Sequence, residues 1–261
     1  LSAYAYRWLQ PLFSRPTIDR QFACFWNHLR KLSRHFDLTV CANHDFSRRL
    51  TEGGLTNVVT HAMGVETGVF SPTRRDARLR ARLLEQCALP ETANLLVAVG
   101  RLAPEKRWPM IIEAVTLASR ETPIGLVMLG EGRERGAILR TIAGNPHIRL
   151  FEPERRRENF AAILASADTL IHGCEAETFC MAAAEARASG TPVIVPDQGG
   201  AADHARDGAG IRYRAGDPQS AAHAIGVLLR ELRLNPGGSL PRTNEDHFSE
   251  LFNHYASLRT A

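Results

Sequence analysis

From Asn94 onward, short apolar runs alternate with helical patterns, and no other feature of the chain restricts its fold as strongly. The runs are "LLVAVG" (95–100), "GLVMLG" (125–130), "IRLF" (148–151), "TLIHG" (169–173), "PVIVP" (192–196) and "GIRYR" (210–214). Their richness in Val, Ile and Leu is that of buried parallel strands. Helical patterns lie between them near 107–120, 132–143, 157–166, 178–189, 200–206 and 217–232. Repeated β-α units of this kind predict an α/β domain with a doubly wound parallel sheet covered on both faces. Its ligand is expected at the carboxyl ends of the strands.

Residues 1–73 differ. Helical patterns near 17–34 and 44–52 surround short strands at 38–42 and 57–61. Two β-α units are too few to close a stable sheet, so this part reads as the tail of a first doubly wound domain. The stretch "AMGVETGVFSPT" (62–73) reads as a hinge, and "LNPGGSLP" (234–241) as a break. A closing amphipathic helix over 243–259 places Phe248, Leu251, Phe252, Tyr255 and Leu258 at helical spacing, and its apolar stripe reads as packing. The expected divisions are 1–73, a remnant of an N-terminal domain; 74–235, a ligand-binding domain; and 236–261, the closing helix. The chain opens at Leu1 without an initiator methionine, which reads as the interior of a longer protein.

Composition narrows the class. A net charge of +4 is mildly basic and does not by itself mark a nucleic-acid binder, and none is expected as a partner. The 5 cysteines are odd in number and lack CxxC spacing, which argues against a disulfide framework or a zinc site and for a reducing cytoplasm. No apolar run reaches the length of a membrane span. The segment 4–36 mixes arginines with aromatics. It reads either as a packed helix with solvated arginines or as a peripheral contact with the anionic inner face of a membrane.

Two stretches carry candidate chemistry. In "VGRLAPEKRW", Arg101 and Lys106 follow directly on a strand end, where a guanidinium fork and a mobile ammonium suit phosphate oxygens. The alternative is a solvated pair with Glu105 as partner. In "CEAETFCMAAAEARASG", Glu177 and Glu185 flank a helix start near Phe179. Unpaired N–H groups there favour an anion. Eight helical residues span about 12 Å, the reach from a sugar across a diphosphate to a ribose. Ala182, Ala183 and Ala184 could let a ligand lie against the helix flank. The alternative makes Glu185 a surface residue and the alanines mere helix formers.

Together "GRLAPEK" (100–106), "LGEG" (129–132), "ETFCMAAAE" (177–185), "ASGTPVIVPDQGG" (188–200), Asp203 and "GVETGVFSP" (64–72) resemble the retaining glycosyltransferases of family 4, which have the two-domain GT-B architecture. The resemblance covers nearly the whole chain. It implies a hexosyltransferase that moves a sugar, mannose first, from a GDP- or UDP-linked donor to a hydroxyl acceptor, lipid-linked or glycan, with retention. It implies that Arg101 and Lys106 bind the diphosphate and that Glu177 contacts the donor sugar. Phe179, Cys180 and Met181 would lie near sugar and phosphate, and Glu185 would hold the ribose. Gly100, Gly130 and Gly132 would line the nucleotide cleft, with Gly199 and Gly200 below the donor. Cys180 stands where the family has glycine. No Asp-x-Asp pair is present, so a donor site without metal or other cofactor is expected. His172 reads as a packed core histidine. Two other readings remain: a nucleotide-sugar-binding protein without transfer activity, and a GT-B epimerase. The glycines of "LGEGRERG" invite a dehydrogenase reading, but their last spacing is one residue too long.

Overall fold

The computed structural model describes residues 14–206, 208–232 and 242–258, and its strands form two wholly parallel sheets. In chain order, α1 (Arg15–Ser33), β1 (Thr39–Cys41), α2 (His44–Glu52) and β2 (Val58–Thr60) build the first, two-stranded sheet. The second is built from α3 (Ala77–Gln86), β3 (Asn94–Val99), α4 (Trp108–Ala118), β4 (Ile124–Leu129), α5 (Arg135–Ile142) and β5 (Ile148–Phe151). It continues with α6 (Arg157–Ser166), β6 (Thr169–Ile171), α7 (Met181–Ala188), β7 (Val193–Pro196), β8 (Gly210–Tyr213) and α8 (Pro218–Leu232), and α9 (Asn244–Leu258) closes the chain. The expected strands are all found within a residue or two of their bounds. The expected helix at 200–206 is a 3-10 turn over Gly200–Ala205. The expected break at 234–241 lies outside the described residues.

The order β5-β4-β3-β6-β7-β8 explains why the strands read as continuous apolar runs. Successive side chains of a strand point to opposite faces. Leu95 and Val97 therefore enter a core with Leu83, Leu84, Phe160, Leu164 and Ala183. Leu96 and Ala98 enter a second core with Ile111, Val115, Ile138 and Leu228. Both faces are dry, and each fully buried leucine stabilises the fold by about 1.5–3 kcal/mol.

Chain order runs outward from the centre in two directions, β3 to β5 one way and β6 to β8 the other. The carboxyl ends of β3 and β6 thus diverge side by side, which opens a crevice.

Helix α3 lies outside the expected helical patterns. Its cap is local: Asp76 accepts hydrogen bonds from the N–H groups of Arg78 and Leu79. Arg80 of the same helix then reaches Asp168 at 2.8 Å, and Asp168 also accepts from Leu95 N at 2.7 Å, tying the starts of β3 and β6 together.

The linker 62–73 and the start of α9 run side by side. Val65 N donates to Arg242 O at 3.0 Å, and Asn244 N donates to Val65 O at 3.0 Å. From there α9 lies against the residues that follow β2: His247 Nδ1 stands 2.9 Å from Ala62 O, and the rings of His247 and His254 meet His61 edge-on. The expectation that its apolar stripe is packing is corrected here. Phe248, Phe252, Tyr255 and Leu258 are exposed, Phe252 to 60%, because the face turned to the sheet is the one that carries the histidines.

Candidate active site

The crevice between β3 and β6 is built from two loops. After β3 the chain makes a 3-10 turn at Pro104–Lys106, held by Trp108 Nε1 donating to Arg101 O at 2.9 Å. After β6 it runs through His172, Glu175 and Glu177 to the start of α7. Two ion pairs bind the loops to each other. Lys106 Nζ donates to Glu177 Oε1, and Arg107 grips Glu175 in a two-pronged pair, with Nε to Oε2 at 2.6 Å. Arg107 was invisible to sequence reasoning. Its left-handed backbone (φ 51°) points it across the crevice, and its partner lies 68 positions away.

Not all expected residues converge. Lys106, Glu177 and Cys180 come together with His172. Arg101 instead turns outward with its side chain 77% exposed, paired with Glu105 at 2.8 Å, which is the solvated alternative. Glu185 does not lie at the surface. It is buried on α7 and takes a 2.9 Å hydrogen bond from Arg157 Nη1 of α6. Arg157 also pairs with Glu66 of the linker and sits 4.8 Å above the Phe70 ring. Burial raises the Glu185 pKa, and Arg157 only partly offsets this. The alanines have another reason than the one expected: Ala183, Ala184 and Ala186 are packed into the core, and only Ala182 is half-buried. Small side chains let α7 approach the sheet closely.

Glu177 is the most perturbed acid of the site. Burial alone would raise its pKa, but His172 and then Lys106 outweigh burial and pull it down to about 2. Burial opposes a charge on His172 as well, yet the Cys180 and Cys174 sulfurs and the Glu177 carboxylate together hold its pKa well above the usual histidine range. The Tyr213 hydroxyl donates to the His172 carbonyl at 2.7 Å and fixes the end of β6.

Cys180 is the N-cap of α7, with φ 76° and ψ 73° and no capping side-chain bond. The Cys180 side chain thus leaves the first N–H groups of the helix uncapped, and they carry a partial positive charge. The left-handed backbone is where a glycine costs least. Cys180→Gly and Cys180→Ala both remove the thiol, but only Ala keeps a Cβ in that region. The Gly variant is expected to be more stable by about 1 kcal/mol in urea denaturation; equal midpoints would remove the strain argument.

The glycines close the walls. A Cβ at Gly130 would strike the Gly100 carbonyl oxygen, so the ends of β3 and β4 can approach only without side chains. Gly132, on the same loop, packs against the Leu102 backbone. Gly199 adopts φ 72° and ψ −171°, and it and Gly200 abut the backbone of residues 175–178. Gly200 N donates to Glu177 O at 2.7 Å. Met181 is partly exposed at the mouth, whereas Phe179 is buried.

Behind the helix start, His204 Nε2 donates to the Phe179 carbonyl at 2.7 Å. Burial holds His204 neutral and lowers its pKa to about 4. The unfolded imidazole takes its proton near pH 6.5. Below that pH the unfolded chain binds a proton that the native chain refuses, so this stability contribution is lost as pH falls from about 6.5 to 4, by about 3 kcal/mol in all. A His204→Gln variant should show a smaller drop in urea midpoint between pH 7 and 5 than the parent; an identical drop would contradict it.

The first sheet also touches this loop. Asn43 Nδ2 donates to Thr178 O at 2.6 Å, and His44 N donates to Asp203 Oδ2 at 2.8 Å.

Residues 80–235 match the family model of the glycosyl transferases group 1, and the chain belongs to that family. It is 30% identical to a GDP-mannose-dependent alpha-mannosyltransferase of Mycobacterium tuberculosis, over 90% of this chain and 60% of that protein. It is 33% identical to a GDP-mannose-dependent alpha-(1-6)-phosphatidylinositol dimannoside mannosyltransferase of the same species, over 80% of this chain and 53% of that protein. The chain therefore spans little more than half the length of these relatives. Among solved structures, it superposes on a glycosyltransferase from Rickettsia africae with a TM-score of 0.65 at 17% identity, over 81% of this chain and 57% of the other. An Anabaena protein in complex with UDP-glucose gives 0.64 at 17% identity, over 81% and 59%. The fold is of the GT-B type. Among the described residues, no helix is long and apolar enough to cross a membrane.

Proposed function

We propose that the chain binds a nucleotide diphosphate sugar, GDP-mannose first, and transfers the hexose to a hydroxyl acceptor with retention of anomeric configuration. Residues 74–235 are the donor domain, and residues 1–73 and 236–261 belong to the acceptor side. The observation that carries the reading is the meeting of Lys106 and the open start of α7 around Glu177 at the point where strand order diverges. Negative charge grows on the departing diphosphate as the glycosidic bond breaks, and fixed positive groups aimed at it lower the barrier. Lys106 and the α7 N–H groups supply that charge, and Arg101 swings in from the rim to complete it. With these groups in place, the reaction runs without a metal.

Glu177 contacts the sugar, and Glu185 accepts hydrogen bonds from the ribose hydroxyls. Phe179, Cys180 and Met181 offer backbone to sugar and phosphate, and Gly100, Gly130, Gly132, Gly199 and Gly200 shape the cleft. The GDP-mannose preference is supported by the names of the relatives at 30% and 33% identity, and a lipid-linked acceptor at a membrane surface by the name of the second.

Calorimetric titration with GDP-mannose, UDP-glucose and NAD+ in EDTA tests the reading. GDP-mannose is expected to bind without metal and more tightly than UDP-glucose. Failure of both nucleotide sugars to bind would reject the proposal. NMR of the product's anomeric proton separates retention from inversion.

A further inference from the structure

His172, Glu177 and Cys180 lie five and three positions apart on one loop, a spacing that matches no common metal motif. The fold nevertheless gathers one imidazole nitrogen, one carboxylate oxygen and one sulfur within 4.8 Å of one another. His172 is only 3% exposed, and its Nε2 stands 3.2 Å from Glu177 Oε1, inside the space that the three side chains share. Cys180 is 5% exposed, and its unusual backbone turns it toward the same spot from the start of α7.

We propose that these three side chains form a site for one thiophilic divalent cation, Zn2+ being the best match, and that the bound ion blocks the donor. Nitrogen, sulfur and oxygen together are a zinc donor set. Bonds of about 2.0–2.3 Å place tetrahedral donors about 3.5 Å apart, so the trio closes on the ion by about 1 Å through side-chain rotation. Charge also balances. A thiolate and a carboxylate neutralise the dication, the imidazole binds as a neutral ligand, and the displaced protons leave to solvent. Lys106 holds the same carboxylate, so the ion replaces an ammonium. That exchange removes the diphosphate's partner from its position and puts an ion where the sugar is to lie. The blocking effect rests on the donor reading above, but the metal site does not.

Cobalt(II) reports the site directly. Titrating the full chain with Co2+ is expected to give tetrahedral visible bands and a thiolate-to-cobalt charge-transfer band, saturating at one ion per chain and reversed by Zn2+. Cys180→Gly, which suits the backbone there, and Glu177→Gln should weaken or abolish these bands, whereas exposed Cys24→Ser should not. Absence of the charge-transfer band in the parent, or its survival in Cys180→Gly, would overturn the site. In calorimetry, GDP-mannose affinity is expected to be at least about tenfold lower with saturating Zn2+ than in EDTA. Equal affinity with the ion bound would overturn the blocking effect. A donor that fails to bind even in EDTA counts against the functional reading and leaves the cobalt result standing.

Discussion

Lys106→Ala is expected to weaken binding of GDP-mannose by about tenfold to a hundredfold, the loss of one charged hydrogen bond of about 1.5–3 kcal/mol. The size follows from its position. Lys106 is mostly buried between the two loops of the crevice, on the carboxylate that faces the sugar, where water screens it little. Arg101→Ala is expected to cost less, because that side chain is in water and must give up Glu105 before it reaches a phosphate. Calorimetry on both variants decides the matter. Unchanged affinity in Lys106→Ala would mean that the diphosphate lies elsewhere.

Glu185→Ala is expected to lower affinity for GDP itself by about tenfold, again from lost hydrogen bonds to a charged acceptor. Glu177→Ala should leave GDP binding nearly intact and weaken only GDP-mannose. The division rests on place: Glu177 is beside the start of α7, and Glu185 lies farther along that helix, held by Arg157. Because burial raises the Glu185 pKa, its contribution should fade as pH drops toward that raised value, while Glu177, depressed to about 2, stays ionised. Identical nucleotide and nucleotide-sugar profiles for the two variants would refute the assignment of roles.

The sheet was legible because β3 and β4 are buried on both faces, so their sequences carry one uninterrupted signal. Helix α3 was not. Its "ARLRARLLEQ" buries only Leu83 and Leu84, and fewer than three turns of arginine-rich surface give little periodicity to read. Motif spacing located the loops of the site but not the direction of their side chains. Arg101 and Lys106 are five residues apart, and the 3-10 turn between them sends one to solvent and the other inward. Long-range partners escaped for the same reason: nothing near Arg107 points to Glu175, and nothing near Glu185 points to Arg157. The gathering of His172, Glu177 and Cys180 depends on a left-handed residue at Cys180, a conformation that a cysteine in sequence does not announce.

The paired crossings at Val65 and Thr243 have a mechanical consequence. Two chain segments pinned side by side by backbone bonds cannot slide along each other without breaking those bonds. A shift of the small sheet relative to the large one would therefore load bonds at two places at once, the Val65 crossing and the contacts of Asn43 with Thr178 and His44 with Asp203 at the rim.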